Sequence, residues 1–356
     1  MLRDVALYRR LGWLVMATLA SAAHAESPGP VIRPSAGPAL QSAPSPSPGP
    51  VLHPAGEPAP RPAASEARPK LVAAVASPAP AADPHNLRAL TDDPAVGKAD
   101  RIDGDEYKGV VAFTFDDGPN PETTPAVIDA LEKYDVPATF FIVTQRIAGK
   151  HGDKGREILQ RELAAGFLIG SHSVTHPNLR RAGSDQLSRE VDASIRALAG
   201  QANRPIGMFR PPYGAIGPAG RVRLKKLGLT EVQWSVDTLD WKARDAERLR
   251  RKVIAMIKHD GGGVVLMHDV KPITAKIIGE VLDDLEAENC ARLATGNAPI
   301  LPVSLHYFLK DGKVPRTLPA AVLQRTDAYR AALPGRCAKR PPPPPPPAPA
   351  ARRATR

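Results

Sequence analysis

Four side chains in this sequence have the types and the spacing that a catalytic metal site needs. Asp116 and Asp117 are adjacent and come directly after an apolar run in the stretch VAFTFDDGPNPETT. His172 and His176 lie four residues apart in GSHSVTHPNL, also after an apolar run. If a helical turn begins there, both imidazoles face the same side and can bind one cation. Two histidines and one carboxylate make an open site, in which the cation lowers the pKa of a bound water toward about 7.

The two adjacent aspartates would then have different roles. One binds the cation while the other, within hydrogen-bond reach of the water, takes a proton from it. Gly118 and Pro119 would hold the turn that follows. The alternative is that the pair caps the helix that begins near Pro121. We expect zinc for this ligand set, and Co²⁺, Ni²⁺ and Fe²⁺ suit the same ligands.

An arginine followed by two prolines ends another apolar run. Arg210 in FRPPYG could pair with a carboxylate and keep it ionised and oriented. Otherwise it is a surface arginine in a rigid loop. Gly214 permits close approach of the backbone, so that main-chain N–H groups near Tyr213 could face a developing oxyanion.

Two further stretches contain residues that could act on a sugar. WSVDTLDWKA contains Asp237, Asp240 and Trp241, and the indole could stack on a sugar ring or belong to the core. VVLMHDV contains His268, which would serve as a general acid if a carboxylate raised its pKa, and is otherwise a structural histidine. Asp237 and Asp240 both remain candidates for that carboxylate.

These residues share one position in a repeating pattern of strands and helices. After Asp105, short apolar runs alternate with amphipathic stretches, which predicts parallel strands joined by crossover helices. The seven predicted strands are 110–115, 138–143, 167–170, 208–209, 231–236, 263–267 and 299–303. The six predicted helices lie near 121–134, 154–165, 184–200, 218–227, 245–259 and 273–287.

Seven strands favour an α/β fold in which a closed or nearly closed β/α barrel forms a single catalytic domain. Five candidate residues fall at or just after the C-terminal ends of the runs, namely Asp116, His172, Arg210, Asp237 and His268. The βα loops of a barrel converge at that face. A doubly wound open sheet would also place such residues at strand ends, so it is the alternative fold.

The rest of the chain has the composition of targeting and spacer segments. Three arginines precede an apolar stretch and small residues near position 25, which is the pattern of an export signal. That stretch is too short to span a bilayer, so we expect no stable membrane span after cleavage. The predicted segments are a signal peptide at 1–25, a disordered Pro/Ala-rich linker at 26–104, the folded domain at 105–310, a C-terminal extension at 311–340 and a Pro-rich basic tail at 341–356. The protein would act in the periplasm, the cell envelope or the extracellular space.

The formal net charge of +11 does not indicate a nucleic-acid partner. The basic residues are scattered along helical patterns or lie in the tail, without the interleaved aromatics of single-strand binders. Attraction to anionic envelope polymers, or solubility alone, accounts for the excess.

The two cysteines, Cys290 and Cys337, have no metal-ligand spacing to each other. In an oxidising compartment they could form a disulfide that attaches the C-terminal segment to the domain. The sequence does not establish that they approach each other, nor does it indicate the oligomeric state.

Five stretches, in this order, resemble the motifs of the polysaccharide deacetylases, which are carbohydrate esterase family four with the NodB-homology domain. Each motif alone is weak, but together they are highly specific. The stretches are TFDDGP at 114–119, HSVTH at 172–176, RPPYG at 210–214, DTLDW at 237–241 and LMH at 266–268. The resemblance implies a distorted (β/α)7 barrel and metal-dependent removal of acetyl groups from N-acetylated sugars.

The resemblance also implies a role for each matching residue at the reaction centre. Asp116 would be the catalytic base and His268 the general acid. The metal ligands would be Asp117, His172 and His176.

Five more residues would support that centre according to the same resemblance. Arg210 would steady the base, and Asp240 would orient the general acid. Trp241 and Leu266 would line the acetyl pocket, and the main-chain amide of Tyr213 would help to stabilise the oxyanion.

Three functions are therefore in competition. The first is deacetylation of N-acetylglucosamine in peptidoglycan or a chitin-like glycan of the envelope. The second is hydrolysis of a small cyclic amide or imide, which some relatives with this fold perform, although usually in the cytoplasm. The third is a glycan-binding module without catalysis, and the complete set of acid, base and metal ligands disfavours it.

Overall fold

The computed structural model describes residues 101–150, 152–311 and 314–341 of the chain. The predicted signal peptide, most of the predicted linker and almost all of the Pro-rich tail lie outside the described residues. Within these ranges, no helix has the length and apolar character that a membrane crossing requires.

Nine strands of the described residues form one sheet, and every pairing within it is parallel. The strands are β1 (Arg101–Ile102), β2 (Val110–Asp116), β3 (Ala138–Ile142), β4 (Leu168–Ser171), β5 (Met208–Phe209), β6 (Thr230–Val232), β7 (Val236–Asp237), β8 (Gly262–His268) and β9 (Leu301–Pro302). Their order is β1-β6-β5-β4-β3-β2-β8-β7, and β9 pairs with the first residues of β2. A separate antiparallel pair follows, formed by β10 (Lys310–Asp311) and β11 (Val314–Pro315).

Helices alternate with these strands, as the sequence pattern predicts. They are α1 (Thr124–Lys133), α2 (Asp153–Ala164), α3 (Ser184–Leu187), α4 (Ala193–Ala202), α5 (Pro218–Lys226), α6 (Ala246–Asp260), α7 (Pro272–Ala294) and α8 (Ala320–Ala338). A π-helical stretch, Ser188–Asp192, joins α3 to α4. The helix predicted near 273–287 continues to Ala294, since Asn289 is buried and bonds to both backbone groups of Ile300.

The sheet curls into a half-barrel, which confirms the predicted distorted β/α barrel. After β1, the chain turns toward β8, where the Val264 N–H donates to the carbonyl of Gly104 at 3.1 Å. Ser235, just before β7, donates its N–H to the Val264 carbonyl at 3.1 Å. Gly104 has φ +95°, and a Cβ there would lie 2.9 Å from the Ser235 nitrogen. Only glycine therefore fits where the two edges of the sheet approach each other.

Two strands differ from the sequence prediction. The run predicted as one strand at 231–236 is broken at Gln233, whose N–H bonds to the carbonyl of Ile102 in β1. The run therefore forms β6 and β7, which lie at opposite ends of the strand order. β1 itself lies upstream of Asp105, and two residues are too few to show any hydrophobic period.

Buried aromatic residues support the central strands from the helical side. Phe115 of β2 stacks on Phe140 of β3 at 5.2 Å between ring centroids, and Phe140 contacts Phe167 at 5.4 Å. All three side chains are buried, and burying each one contributes roughly 2–3 kcal/mol. β2 and β3 therefore form a rigid base for the residues at their C-terminal ends.

Helix α8 covers the opposite end of the barrel, although the sequence pattern predicted no element there. Tyr329 and Leu333 of α8 are buried against the same cluster as Leu301 of β9, which pairs with the first residues of β2. Cys290 of α7 and Cys337 of α8 form a disulfide with 5.4 Å between their Cα atoms, which answers the question that the sequence left open.

Candidate metal centre and active site

Parallel register brings the candidate residues to one edge of the sheet. β2 ends at Asp116 and β8 ends at His268, and these two residues are register partners across the pair. β4 leads directly into His172, and β5 leads into Arg210 beside it, since Ser171 pairs with Phe209. The residues that the sequence predicts at strand ends therefore lie around one cavity.

Asp117, His172 and His176 form a cluster suited to a divalent cation. One ligand atom from each residue lies within 4.8 Å of the other two. The Oδ1 atom of Asp117 is 3.2 Å from Nε2 of His176 and 3.7 Å from Nε2 of His172. Ligand atoms of a tetrahedral zinc ion are about 3.3 Å apart, because each lies about 2 Å from the metal. The geometry therefore fits a metal of this size.

A buried oxygen supports the same interpretation. Oδ1 of Asp117 is inaccessible to solvent and has no hydrogen-bond partner among the described residues. Buried carboxylate oxygens almost always have a partner. A cation at the centre of the cluster would supply it.

The two histidines are brought together by a loop. The helical turn that would place both imidazoles on one side is not formed, because Ser173 has φ +72° and His176 has φ +64°, which are left-handed conformations. The imidazole centroids are nevertheless 4.9 Å apart. Glu190 holds the loop, since its carboxylate accepts bonds from the N–H groups of Val174 and Thr175 at 3.1 and 2.9 Å. Left-handed residues cost about 1–3 kcal/mol each and cluster at functional sites.

His172 is held as a neutral imidazole with one nitrogen free. Its Nδ1 lies 2.7 Å from the carbonyl oxygen of Arg210, and a carbonyl only accepts, so Nδ1 carries the proton. Nε2 is then free to bind a cation. Burial lowers the pKa of His172 to about 3, so the ring stays neutral at physiological pH, as a metal ligand must.

Arg210 is fully buried and fixes Asp116. Its Nη1 donates to Oδ1 of Asp116 at 2.7 Å and to Oγ1 of Thr114 at 2.8 Å. Oδ2 of Asp116 lies 3.6 Å from Nε2 of His172, so the second oxygen faces the metal cluster. Burial raises the pKa of Asp116 and the Arg210 charge opposes it, with a net rise. A carboxylate of raised pKa is the stronger base.

The guanidinium of Arg210 is itself held by the barrel interior. Nη2 donates to the carbonyl of Gln233 at 3.1 Å, at the break between β6 and β7. The rings of Phe141 and Trp234 lie 4.1 and 5.6 Å from its central carbon, at cation–π distances. The alternative of a surface arginine is therefore wrong.

His268 is paired with Asp240 and not with Asp237. Nδ1 of His268 lies 2.7 Å from Oδ1 of Asp240, while the main-chain N–H of His268 and the hydroxyl of Thr274 bond to Oδ2. Burial alone would lower the pKa of His268, but the bond to Asp240 and nearby carboxylate charges raise it to about 9. His268 is therefore protonated at neutral pH. Asp237 instead accepts the N–H of Leu239 at 3.0 Å.

The cavity beside the cluster has a volume of about 370 Å³, within the range of small-ligand sites. Its walls are Asp116, Asp117, His172, His176, Tyr213, Trp234, Asp237, Trp241, Leu266, His268 and Lys271. Trp241 and Tyr213 are 54% and 67% exposed, which leaves their rings free to contact a ligand. All three residues of the predicted acetyl pocket and oxyanion site, Tyr213, Trp241 and Leu266, thus line this cavity.

Asp269 was missed by the sequence analysis, although it directly follows His268. Its carboxylate is fully buried and accepts the hydroxyl proton of Thr124, whose Oγ1 in turn accepts the Asn120 N–H at 2.8 Å. A Cβ at Gly118 would lie 2.1 Å from Oδ2 of Asp269, so the two loops are in direct contact. The sequence signal that could have identified Asp269 was its position as an acidic residue directly beside the candidate His268.

Comparison with known proteins places these motifs in a family. Residues 103–232 match the family model described as polysaccharide deacetylase, a range that includes the first three motifs. A peptidoglycan-N-acetylglucosamine deacetylase from Listeria monocytogenes is 35% identical over 178 residues, which is 50% of this chain and 36% of that protein. This chain thus covers only about a third of that relative.

Two other matches extend along most of the compared protein. A family 4 carbohydrate esterase from Streptomyces lividans, solved in complex with acetate, is 28% identical with a TM-score of 0.46, over 58% of this chain and 98% of that one. A chitooligosaccharide deacetylase from Bradyrhizobium sp. is 36% identical over 163 residues, which is 46% of this chain and 71% of that protein. Since this last relative is matched at that identity over most of its own length, the chain belongs to the polysaccharide deacetylase family.

Proposed function

We propose that this protein is a metal-dependent hydrolase that removes N-acetyl groups from N-acetylglucosamine residues of an envelope polysaccharide. The observation that carries the proposal is the cluster of Asp117, His172 and His176, which lies beside Asp116 and faces the same cavity as His268. Relatives named as deacetylases of peptidoglycan and of chitooligosaccharides support this substrate class.

The cation would be held by Asp117, His172 and His176, with zinc as the first expectation and Co²⁺, Ni²⁺ or Fe²⁺ as alternatives. When bound, such a cation supplies Lewis acidity, which makes water more acidic and polarises a carbonyl group. Both histidines present Nε2 to Asp117. The neutral state of His172 requires no proton release before it binds the metal.

Asp116 acts as the general base in this proposal. Its Oδ2 faces the cluster and accepts a proton from the attacking water, while Oδ1 stays bound to Arg210. Because the Arg210 guanidinium is fixed by the barrel, the carboxylate is held in one orientation. The water oxygen forms a bond to the acetyl carbon.

His268 acts as the general acid and completes the reaction. It donates a proton to the sugar nitrogen as the C–N bond breaks, so that acetate and a free amino sugar leave. Asp240 keeps His268 protonated and orients the ring through Nδ1, which leaves Nε2 for the transfer. The base and the acid thus have opposite protonation states at the same pH, as hydrolysis requires.

Three residues would receive the acetamide group. Trp241 and Leu266 contribute apolar surface for its methyl group, and the main-chain N–H of Tyr213 stabilises the oxyanion. Tyr213 has φ +59° and its ring contacts His176 at 4.7 Å, which fixes it beside the metal cluster.

The test is acetate release by the purified full chain from N-acetylglucosamine oligomers and from peptidoglycan. We expect the wild-type protein to release acetate. A chelator should abolish this release and added Zn²⁺ should restore it, whereas Asp116→Asn should release no acetate. Activity on a cyclic imide without acetate release would favour the second function. Glycan binding without hydrolysis of either substrate would favour a binding module.

We further propose that the protein acts in the periplasm, the cell envelope or outside the cell. The predicted export signal and the peptidoglycan-directed name of the Listeria relative support this location. Fractionation of cells that express the full chain would test it, since retention in the cytoplasm with an uncleaved N-terminus would contradict export.

A further inference from the structure

Two cavities meet at the metal cluster. The first is the cavity of about 370 Å³ that contains His268 and Lys271. The second has a volume of about 500 Å³, and its walls include Gln145, Arg146 and Thr175. Both cavities share Asp117 and His176. A glycan that presents one sugar to the cluster can therefore extend from the first cavity into the second.

Each cavity has one side chain with a permanent positive charge. Lys271 is half-buried in the first, and Arg146 is exposed in the second. Neither forms an ion pair within the part of the chain that the structure describes. The other ionisable groups of both walls are aspartates, histidines and Tyr213. Two cations that no ion pair neutralises thus face the path of the substrate.

The position of Lys271 is not explained by stability. It is the N-terminal cap residue of α7, where its side chain makes no capping hydrogen bond. The N-terminus of a helix carries partial positive charge, so a cation there is unfavourable. The Lys271 N–H bonds to the carbonyl of His268 at 3.1 Å, which holds the residue next to the general acid.

Arg146 is also fixed relative to the metal cluster. It lies in the short helical turn Thr144–Ile147. The N–H groups of Thr144 and Gln145 donate at 3.1 Å to the carbonyls of Ser173 and Val174, which belong to the loop between the two metal-binding histidines. The base of the Arg146 side chain therefore keeps a constant position beside His176.

We infer that this chain selects a glycan in which the sugars on both sides of the deacetylated residue bear carboxylates, and that Lys271 and Arg146 bind those carboxylates. The inference rests on the proposed function and narrows its substrate. A peptidoglycan strand fits, because its N-acetylglucosamine alternates with sugars that carry a lactyl group and peptide carboxylates. A chitooligosaccharide has no carboxylate. Arginine binds such groups in a bidentate manner and lysine as a point charge.

The experiment compares three substrates with the zinc-loaded full chain. They are a peptidoglycan fragment with free carboxylates, the same fragment after its carboxylates are converted to methyl amides, and neutral N-acetylglucosamine tetramer. We expect at least about tenfold higher kcat/KM on the carboxylated fragment than on its amide, and a smaller ratio as NaCl rises, because salt screens exposed charges.

Variants assign the preference to the two residues. Lys271→Met and Arg146→Gln should each raise KM for the carboxylated fragment about fivefold to tenfold, and should each reduce its kcat/KM advantage over the other two substrates. The matched controls are Lys276→Met and Arg181→Gln, since both residues are exposed and belong to neither cavity. They should behave as wild type.

An equal loss of kcat/KM on all three substrates in Lys271→Met or Arg146→Gln would overturn the inference. So would a control variant with the same loss as the variant it is matched to. Calorimetric measurement of Kd for the carboxylated and amidated fragments, with the same proteins, tests the inference independently of the proposed function. If no fragment releases acetate, the proposed function fails. Tighter binding of the carboxylated fragment that depends on Lys271 and Arg146 would still support the inference, and equal Kd values would refute it.

Discussion

At the scale of single residues, the proposed mechanism requires different protonation states for neighbouring groups. Asp116 and His268 end two paired strands, yet Arg210 fixes the carboxyl group of Asp116 and Asp240 fixes the imidazole of His268. His172, by contrast, is kept neutral by burial. Each protonation state depends on a specific partner or on burial. A substitution that removes the partner tests that state.

Substitution of the base should separate metal binding from turnover. In Asp116→Asn the metal cluster is intact, so metal content should match wild type while kcat falls about 10²- to 10⁴-fold, the usual contribution of a positioned base. His172→Ala should instead lose metal first. Metal analysis of both proteins beside their rates is the measurement, and wild-type turnover by Asp116→Asn would refute the base assignment.

The pH dependence should depend on Asp240. As the proposed general acid, His268 must be protonated, and its pKa is raised from 6.5 to about 9, so activity should fall above a pH between these two values. A bound cation offsets the charges of Asp116 and Asp117, which otherwise raise the pKa of His268. The pH above which activity falls should therefore lie below 9. Asp240→Asn should move this alkaline limb downward by about 1–3 pH units.

The acidic limb of the pH–activity profile reports the ionisation of the proposed base, Asp116. It serves as the internal control for the Asp240→Asn experiment. Burial raises the pKa of Asp116, so activity should be lost on acidification at a higher pH than for a free carboxylate. Asp240→Asn should leave this limb in place. A pH profile of kcat/KM in which both limbs move together would contradict separate roles for the two groups.

At the scale of elements, the loop after β2 and the loop after β8 are joined by one hydroxyl. Thr124 donates to the buried Asp269 and accepts from Asn120, so it links the segment of the acid to the turn of the base. Gly118 packs directly on the Asp269 carboxylate. This contact therefore fixes the two loops relative to each other, in addition to the register of β2 and β8.

Thr124→Val should disturb this contact without changing side-chain volume much. It leaves a buried carboxylate oxygen without its donor, at a cost of about 1–3 kcal/mol in the free energy of unfolding. We also expect a lower kcat with metal binding retained. The matched control is Thr326→Val, because Thr326 is equally buried but bonds to Val322 within its own helix α8. Urea unfolding and rates of both variants are the measurements.

The disulfide should matter for stability and not for catalysis. Cys290 and Cys337 are 47 residues apart in sequence, for which the chain-entropy estimate is about 4 kcal/mol. Helix α8 covers the end of the barrel away from the metal cluster. Cys337→Ser should therefore lower the unfolding free energy by up to this amount and leave KM and metal affinity unchanged. A changed KM would show that the two ends of the barrel are coupled.

The sequence predicted the strands of the site well and its loops poorly. Buried strands such as β2 and β8 are continuous apolar runs, so their C-terminal ends, and hence Asp116 and His268, could be located from the pattern. The left-handed loop around His176 has no such pattern. Helix α8 was missed because Pro334 lies inside it and most of its apolar residues are alanines, which mark no distinct apolar face. The residues alone left Asp237 and Asp240 open as the partner of His268, and the resemblance favoured Asp240, whose contact the tertiary structure shows.

At the scale of the whole molecule, the metal cluster connects loops that follow different strands. Asp117 follows β2, whereas His172 and His176 follow β4, and all three lie on irregular backbone. A cation bound by all three stabilises the folded state only, because the unfolded chain cannot bring these ligands together. The gain is RT ln(1 + [L]/Kd), about 4 kcal/mol at a thousandfold excess over Kd.

Removal of the metal should therefore lower the thermal midpoint of the whole domain. For a domain of this size 1 kcal/mol corresponds to about 2–4 °C, so a chelator should lower Tm by about 8–16 °C. His172→Ala, which lacks one ligand, should show little further change with the chelator. Differential scanning calorimetry with and without added Zn²⁺ is the measurement, and equal Tm values for wild type under both conditions would contradict a resident metal.

The register between β2 and β8 has a consequence for how this chain can diverge. Asp116 lies opposite His268 only while the two strands keep their alignment, and an insertion or deletion of one residue in either strand would turn its later side chains to the other face. Loops that carry none of the candidate site residues face no such limit. Under the proposed function, new glycan preferences can therefore arise through longer or shorter loops of this kind, while the residues proposed for hydrolysis keep their places.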